Sequence, residues 1–462
     1  MLNASCGRRS CTLSSRKKFN AGCPSIRPYV ESERPFLRLP QRSLFLTPLH
    51  IRKRTSRFPF SLPHSVPNMG IIKSICSTFH LPVPSISIIS LISAIICLLI
   101  AIRFLMLFFF STSRPRQTQI PPHRERVLIL GASNEKGVGE AIALAYAKRG
   151  CRSLVLVARN EQGMEKIRQK CINLAKDGEK LGATDGVQVR EEGEVEDRIK
   201  TFKADCSNPR DIDYLRMYIQ ANFRGIDTLH ICFGVSALLP LLGIAGVDPI
   251  RPSSMDGEGA SSIYADEKGL NAVSQAVNRA SEVNVTGTAM VLAAFVPMLQ
   301  TTSTHPAIAL TSSAAALFPA PTRSIYAATK TAQLSLFRSV AIECQAHASQ
   351  PQSSLPAERE KREDIRFLAV CPGTIATSFR SSAVDFKQGD GDLPADSAWG
   401  KDGGKRAERI LTSEYVAEKT ILGVDRFQRG EIVIPGLYTL GRWIDLIYPA
   451  YIAKGARKKY NY

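Results

Sequence analysis

A short strand, a glycine-rich turn and a helix follow one another directly, and this order constrains the fold more than any other feature. Residues 127–130 form an apolar run typical of a buried parallel strand. The run leads into a turn that contains Gly131, Gly137 and Gly139, and residues 141–147 then predict a helix. In this context glycines let the backbone approach a pyrophosphate at the positive helix N-terminus. Taken alone, the same glycines are also compatible with ordinary turn punctuation.

The end of the next predicted strand indicates which nucleotide such a site would select. Residues 153–158 form this strand, and Arg159 follows it where an acidic residue would bind the ribose 2′-hydroxyl of NAD. Lys136 immediately precedes the second glycine. Two cations near the adenosine ribose suit a 2′-phosphate, so the sequence predicts NADP(H). The alternative is two solvated surface charges. Asp205, at the end of the third predicted strand, is expected to contact the adenine.

A tyrosine and a lysine four positions apart predict a proton-transfer site. Tyr326 and Lys330 share one face of a helix, and Ser313 lies thirteen positions upstream of the tyrosine. A nearby ammonium favours the phenolate, so we expect Lys330 to lower the pKa of Tyr326. A serine hydroxyl beside the phenol would hold a carbonyl or alcohol oxygen. Tyr264 and Lys268 repeat the spacing in a Gly/Ser-rich stretch, and we interpret Tyr264 as a surface residue.

With these elements together, the chain resembles the short-chain dehydrogenase/reductase family over roughly residues 127–435. The order and the intervals of the motifs carry the resemblance. The matching positions are the glycine turn, Asp205, Asn284 in Asn-Val-Thr-Gly, Ser313, Tyr326, Lys330 and the segment Cys-Pro-Gly-Thr-Ile-Ala-Thr at 371–377.

The resemblance implies an α/β fold with a Rossmann-type doubly wound parallel sheet, and it implies site roles. The catalytic tetrad would be Asn284, Ser313, Tyr326 and Lys330. Ile375 and Thr377 would hold the nicotinamide carboxamide. The implied cofactor-binding set is Gly131, Ser133, Lys136, Gly137, Val138, Gly139, Arg159, Asp205, Gly234, Tyr326, Lys330, Pro372, Gly373, Ile375 and Thr377.

The chain departs from the family pattern at two main places. Five residues separate the first two glycines, Gly131 and Gly137, where the family has three, so the phosphate loop is longer. The family's Asn-Asn-Ala-Gly segment is Ile-Cys-Phe-Gly at 231–234, which retains the glycine and loses both asparagines. Because those asparagines brace the central strands, we expect altered packing there rather than lost chemistry.

The first seventy residues are basic and poor in acidic residues. They carry thirteen Lys/Arg against two Glu, which accounts for +11 of the formal net charge of +19. Serine and proline are frequent and no period is sustained, so we expect disorder. The composition also fits an organellar transit peptide, and a further alternative is translation from Met69. Nucleic-acid binding is not predicted, because no folded module accompanies the charge.

An apolar segment precedes the glycine turn. Residues 86–110 contain one charge, Arg103, and are long enough to span about 30 Å of hydrocarbon. We predict a single transmembrane helix, with a buried core helix as the alternative. If translation starts at Met69, the positive charges that follow the helix put the catalytic domain in the cytosol, and the endoplasmic reticulum is the expected membrane. A mitochondrial location is the alternative.

Cysteines and histidines show no metal-ligand spacing. The eleven cysteines are scattered without a Cys-x-x-Cys pair, which favours buried thiols in a reducing compartment and no metal site. His230 lies in an apolar strand and is expected to be a core residue with its hydrogen bonds made.

Three polar insertions and a long polar stretch are predicted outside the regular elements. The insertions, at 178–196, 249–269 and 345–363, are expected to be surface loops. Residues 379–409 follow Thr377 and predict a mobile lid over the substrate. The tail after residue 436 combines aromatic and basic residues, which suits a membrane interface. Core packing or a homodimer contact is the alternative.

These predictions define five regions and one function. The regions are a disordered basic extension at 1–84, a transmembrane helix at 85–111, a linker at 112–124, the catalytic domain at 125–436 and the apolar and basic tail at 437–462. The predicted function is NADP(H)-dependent interconversion of a carbonyl and a secondary alcohol on a lipophilic substrate, with membrane lipid as a partner. The alternative is a catalytically silent Rossmann scaffold at a membrane.

Overall fold

The computed structural model describes residues 90–102 (except 92, 96, 99 and 100), 115–182, 192–249, 263–350, 362–385 and 410–460. The chain divides into two units, 1–93 and 94–462, and the second contains the α/β domain. The predicted basic extension, residues 1–84, lies outside the described residues. Of the predicted transmembrane segment, the described residues between 90 and 102 are helical and exposed, and the rest lies outside them.

Seven parallel strands form one sheet in the order β3-β2-β1-β4-β5-β6-β7. Central strands buried on both faces need continuous apolar runs, and β1, β2 and β5 have them. This order is the one that brings nucleotide-binding turns to a single crevice. The strands are β1 Arg126–Leu130, β2 Ser153–Ala158, β3 Ile199–Lys203, β4 Thr228–Ile231, β5 Ala307–Thr311, β6 Arg366–Pro372 and β7 Gly430–Ile434.

Helices cover both faces of the sheet, which confirms the predicted Rossmann-type α/β fold. One buried cluster fills the space between the sheet and the helices near β1, and a second fills the other face. The helices are α1 Arg116–Gln119, α2 Val138–Lys148, α3 Glu161–Gly182, α4 Glu192–Arg198, α5 Pro209–Phe223, α6 Leu241–Ile244, α7 Glu267–Ser281, α8 Thr288–Thr302, α9 Ser324–Ala348, α10 Ser413–Asp425, α11 Leu437–Ile447 and α12 Pro449–Tyr460.

The prediction of a surface loop at 178–196 is partly wrong. Residues 192–198 form α4, and Val195 on this helix is only 1% exposed. Its side chain packs into the cluster beside β1, and this burial stabilises a helix that the polar local composition does not predict. Helices α3, α7 and α9 also extend into the predicted insertions, whose central parts at 183–191, 250–262 and 351–361 lie outside the described residues.

Within the described residues, one helical stretch is long and apolar enough to cross a membrane. It is Glu267–Thr302, which comprises α7, a π-helical turn at Glu282–Gly287 and α8. Because α8 contributes Val291, Leu292 and Phe295 to the core beside the sheet, its apolar composition follows from packing inside the α/β domain.

A buried ion pair fastens the segment before β1 to the amino edge of the sheet. Arg116 and Glu125 are each 1% exposed and lie 2.5 Å apart. The same guanidinium donates hydrogen bonds to Thr228 Oγ1 at 2.7 Å and to the His305 carbonyl at 2.9 Å. The predicted linker 112–124 therefore contains a residue that belongs to the domain core.

Candidate active site

The carboxyl ends of the central strands meet at one open cleft, as expected for a doubly wound sheet. The cleft encloses about 920 Å³, open solvent included, and the glycine turn after β1 forms one wall. The segments after β5 and β6 and the start of α9 form the remainder. Its lining includes Gly131, Gly137, Val138, Gly139, Phe233, Ser313, Arg323, Tyr326, Lys330, Pro372, Gly373, Ile375, Thr377, Phe379 and Arg380.

The glycine turn is packed too closely for side chains. Gly131 has φ +96°, and a Cβ there would lie 2.5 Å from the Phe233 nitrogen. A Cβ at Gly139 would lie 2.3 Å from the Gly131 carbonyl oxygen. Helix α2 begins at Val138 without a side-chain cap, so its first amides line the cleft with no side chain bound to them. These amides fit a pyrophosphate.

The long glycine turn places Lys136 outside the clefts, whereas Arg159 lines one of them. Lys136 has φ +61°, is exposed, and lines neither this cleft nor the neighbouring one. Its amide donates to Glu140, and its carbonyl accepts from the Ser413 hydroxyl. The two cations that the sequence analysis grouped together therefore do not line one surface.

A second cleft adjoins the first on the side of β2 and β3. Arg159 lies at its edge with one guanidinium nitrogen 3.6 Å from Asp205 Oδ2. Burial opposes the charge on Asp205, but hydrogen bonds from Ser207 and the nearby Arg159 outweigh it, so its pKa lies below its usual value. The predicted residues Ser133, Asp205 and Gly234 line the same cleft, which encloses about 930 Å³, open solvent included.

The proposed proton donor lies in the first turn of α9. Tyr326 is 5% exposed, and its ring meets the Phe379 ring edge-on at 5.8 Å. The Ser313 side chain is close enough to lower the pKa of the Tyr326 hydroxyl, and it accepts a hydrogen bond from the Ala315 amide at 3.1 Å. The structure thus brings together the tyrosine and the serine that the sequence separates by thirteen positions.

Burial, not the lysine, dominates the protonation of Tyr326. Desolvation raises the pKa of Tyr326 above its usual value, and Arg323 and the Ser313 hydrogen bond oppose the shift. The Arg323 guanidinium carbon lies 4.5 Å from the centre of the tyrosine ring. The expectation that Lys330 lowers the pKa of Tyr326 is wrong. In the structure Arg323 is the cation that lowers it.

Lys330 is 3% exposed and has neutral hydrogen-bond partners. Its ammonium donates to Gln333 Oε1 at 3.0 Å and to the Thr311 carbonyl at 3.4 Å. Burial lowers the pKa of Lys330 to about 8. Gln333 in turn donates to Thr288 Oγ1 at 2.8 Å, so α9 and α8 are tied together beside the lysine.

Asn284 is fully buried in the π-helical turn between α7 and α8. Its Oδ1 accepts from the Val235 amide at 2.8 Å, and its Nδ2 donates to Thr329 Oγ1 at 3.0 Å. A Cβ at Gly234 would lie 3.0 Å from Asn284 Oδ1 and 3.3 Å from the Lys330 ammonium. Glycine therefore leaves room where the end of β4 meets these two side chains.

The segment after β6 is held by backbone hydrogen bonds. Gly373 donates to the Ile434 carbonyl at 2.6 Å, and Ala376 donates to the Leu411 carbonyl at 3.0 Å. Ile375 and Thr377 line the first cleft, as their predicted contact with a nicotinamide requires. The Thr377 side chain caps a 3-10 helix at Ser378–Ser382.

The described start of the predicted lid is fastened beside the first cleft. Asp385 accepts hydrogen bonds from the Leu238 and Leu239 amides, each at 2.8 Å in its shortest contact. Ser236 and Ala383 form a parallel β-bridge. Residues 386–409 of the predicted lid lie outside the described residues.

Sequence reasoning missed Arg323, Gln333, Thr288 and Asp385. Gln333 lies three positions after Lys330, and this helical spacing was a usable signal for contact. Arg323 lies three positions before Tyr326, but it precedes the helix, so spacing carried no such information. Thr288 and Asp385 act across the fold, where no local pattern identifies them.

The other chemically capable residues are accounted for by packing or exposure. Tyr264 is 80% exposed, which confirms its interpretation as a surface residue. His230 is fully buried with Nε2 3.1 Å from the Tyr146 hydroxyl, while its Nδ1 has no hydrogen-bond partner, so the expectation that all its hydrogen bonds are made is only half correct. Within the described ranges, no group of three His, Cys, Asp or Glu could hold a metal ion.

A family model described as short chain dehydrogenase matches residues 259–388. This range contains the four residues of the predicted tetrad and ends before β7, and it does not include the glycine turn. No curated protein sequence matches the chain.

Many solved structures are similar to the chain. One is described as an alcohol dehydrogenase from the archaeon Thermococcus sibiricus complexed with 5-hydroxy-NADP. It is 20% identical and has a TM-score of 0.44, and the match covers 68% of this chain and 98% of that one. Another is described as levodione reductase, at 18% identity and a TM-score of 0.47, with 69% of this chain and 98% of that chain covered.

Proposed function

We infer that this chain is an oxidoreductase of the short-chain dehydrogenase type that interconverts a carbonyl and a secondary alcohol with NADP(H). One observation carries the inference. Ser313, Tyr326 and Lys330 come together with Asn284 at the carboxyl edge of the sheet, beside an uncapped helix N-terminus behind a glycine turn. A scaffold without catalytic activity would have no need to bury a lysine and a tyrosine side by side at this edge.

The proposed chemistry assigns one task to each side chain. A bound nicotinamide dinucleotide supplies or takes the hydride. Ser313 holds the substrate oxygen, and Tyr326 gives it a proton during reduction or takes one during oxidation. Because burial raises the pKa of Tyr326, the hydroxyl is protonated at neutral pH and is ready for carbonyl reduction. Lys330 holds the nicotinamide ribose, and Asn284 supports a water in a proton relay.

Preference for NADP(H) rests on Arg159. The guanidinium stands at the end of β2 and lines the second cleft, where a ribose 2′-phosphate would accept its hydrogen bonds. Asp205 already pairs with it at 3.6 Å, which orients the side chain. Lys136 stands on the exposed turn outside both clefts and contributes through longer-range attraction.

Replacing Arg159 by glutamine should reduce the preference for NADPH over NADH by about ten- to a hundredfold, because a charge-assisted contact contributes about 1.5–3 kcal/mol. Glutamine is a better test than aspartate, which would set two carboxylates together beside Asp205. Titration of cofactor fluorescence measures both affinities. Arg216→Gln is the matched control, since this half-exposed arginine also pairs with an aspartate. Equal affinities of the unaltered protein for both cofactors would reject the assignment.

A lipophilic substrate and a membrane partner are proposed from the carboxyl-terminal helices. Helices α11 and α12 expose a set of large apolar side chains, and cations follow on α12. An apolar face next to cations suits the interface of an anionic membrane. We call this set the apolar tail face; it comprises Leu437, Leu440, Trp443, Leu446, Ile447, Tyr448 and Tyr451, each at least 55% exposed.

The helix that carries most of this face reaches the catalytic cleft. A Cβ at Gly373, which lines the cleft, would lie 3.2 Å from the Tyr438 ring on α11. This proximity supports a lipid substrate that enters the cleft from a membrane. We propose a single-pass protein of the endoplasmic reticulum with its catalytic domain in the cytosol and with residues 85–111 as the anchor. A mitochondrial membrane remains the alternative, and a homodimer contact is the alternative occupant of the apolar tail face.

Detergent-solubilised protein should oxidise NADPH with a lipid ketone, and the apolar tail face should matter only when that ketone is in a bilayer. The double change Trp443→Asp and Ile447→Asp should lower activity on a ketone in anionic vesicles several-fold, because it opposes insertion of the face. Activity on a short soluble ketone should be unchanged. Ile342→Asp is the control, since Ile342 is 70% exposed on α9. Equal loss on both substrates, or reduction of small soluble carbonyls alone, would contradict this proposal.

A further inference from the structure

Arg323 is a cation in the catalytic cleft that the proposed chemistry has not yet used. It lines the cleft immediately before α9, and its guanidinium carbon lies 4.5 Å from the Tyr326 ring centre. One terminal nitrogen donates to Ser236 Oγ at 2.9 Å. Its Nε is buried and makes no hydrogen bond. The hydrogen-bonding capacity of this guanidinium is therefore only partly used within the described structure.

The backbone before Arg323 is strained in a way that fixes its position. Thr322 has φ +67° and is 7% exposed. A β-branched residue is rarely found in the left-handed region, and such a conformation costs about 1–3 kcal/mol. An exposed arginine on an ordinary loop would not require this. The strained residue immediately precedes Arg323 in the chain.

Arg323 forms no ion pair within 4 Å among the described residues. The nearby carboxylate of Asp385 interacts with its charge, but its oxygens accept hydrogen bonds from the Leu238 and Leu239 amides. A guanidinium that lines the cleft next to the proton donor without such a pair is suited to a substrate that brings negative charge.

We propose that Arg323 binds an anionic oxygen, from a carboxylate or a phosphate, carried by the substrate close to its reacting carbonyl. The proposal rests on the function proposed above and narrows its substrate class to an oxo acid or an oxo phosphate. A lipid ketone with a charged group near the carbonyl would satisfy both this site and the apolar tail face. Arg323 is then a specificity-determining residue.

The test compares matched substrates that differ in charge alone. One pair is an oxo acid and its methyl ester, and a second is an oxo phosphate and the corresponding alcohol, so the two anion sources are separated. The unaltered enzyme should prefer at least one anionic member by about ten- to a hundredfold in kcat/KM. Arg323→Gln should remove the preference by raising KM for the anionic substrate, and Arg323→Lys should retain part of it. Arg338→Gln, on the exposed part of α9, is the control.

Two results would overturn the proposal. One is an unaltered enzyme that has equal kcat/KM for the charged and the neutral substrate of each pair. The other is an Arg323→Gln enzyme whose kcat/KM falls by the same factor for the charged and the neutral substrate, together with a shifted pH dependence of kcat/KM. Arg323 would then act only on Tyr326. If the protein binds NADPH but reduces no carbonyl, the proposed function fails. Calorimetric binding of the oxo acid and its ester to the NADPH-bound protein still decides the role of Arg323.

Discussion

Tyr326→Phe should lower carbonyl reduction by about a hundred- to ten-thousandfold, the range that general acid catalysis contributes. The ring would keep its contacts with Phe379 and Arg323, since both involve the ring rather than the hydroxyl. NADPH binding should therefore persist, and fluorescence titration would show it. The measurement is kcat for the true substrate, compared with that of the unaltered protein.

Tyr264→Phe is the matched control for this prediction. Tyr264 has the same four-residue spacing to a lysine, yet it is 80% exposed, so its replacement should leave turnover unchanged.

The raised pKa of Tyr326 also predicts a pH dependence. The value of kcat/KM for reduction should stay flat through neutral pH and fall only as the pH approaches the pKa of the buried phenol. A Tyr326→Phe enzyme with normal turnover would exclude the mechanism.

A chain that begins at Pro121 should be less stable by about 3–5 kcal/mol than one that begins at Arg114. The shorter chain retains β1 but loses Arg116, which leaves the buried carboxylate of Glu125 without its partner. Removing one member of a buried pair has a cost of this size. Urea unfolding of the two chains, both without the apolar segment, measures the difference.

A pair of substitutions separates the ion pair from the rest of the removed segment. Arg116→Met in the longer chain should reproduce most of the loss. Adding Glu125→Met should recover part of it, because the uncompensated charge is then gone. Gln117, which donates to Asp425 at 2.7 Å, accounts for some of the remaining difference. Equal unfolding midpoints for the chains starting at Arg114 and Pro121 would show that Arg116 does not support the domain.

The fold was predictable because its signals are local. Apolar runs at β1, β2 and β7, the glycine turn and the helical spacing of Tyr326 and Lys330 each depend on neighbours in the chain. The catalytic and cofactor roles were inferred from motif order, and they stay predictions here, although the structure brings most of the residues to two adjoining clefts.

What could not be predicted depends on contacts distant in sequence. Gln333 reaches Thr288 across forty-five positions, and Arg116 reaches Thr228 across 112. Residues 112–124 were assigned to a linker because the burial of Arg116 depends on strands that come much later in the chain. Helix α4 was missed for the same reason, since it packs against α3 and β3 and its Val195 is buried in the core.

The buried, neutral surroundings of Lys330, which include Gln333, would link the stability of the protein to the proposed cofactor. Gln333 supplies an amide and no negative charge to the Lys330 ammonium, and burial lowers the pKa of Lys330 from 10.5 to about 8. Below pH 8 this charge lowers the free energy of unfolding, and the penalty disappears as the pH rises from 8 toward 10.5. An anionic dinucleotide supplies the missing charge. At a concentration one hundred times its Kd, any ligand of the folded state adds about 2.7 kcal/mol of stability. Under the proposed function, the lifetime of the protein in a cell would depend on the supply of the dinucleotide.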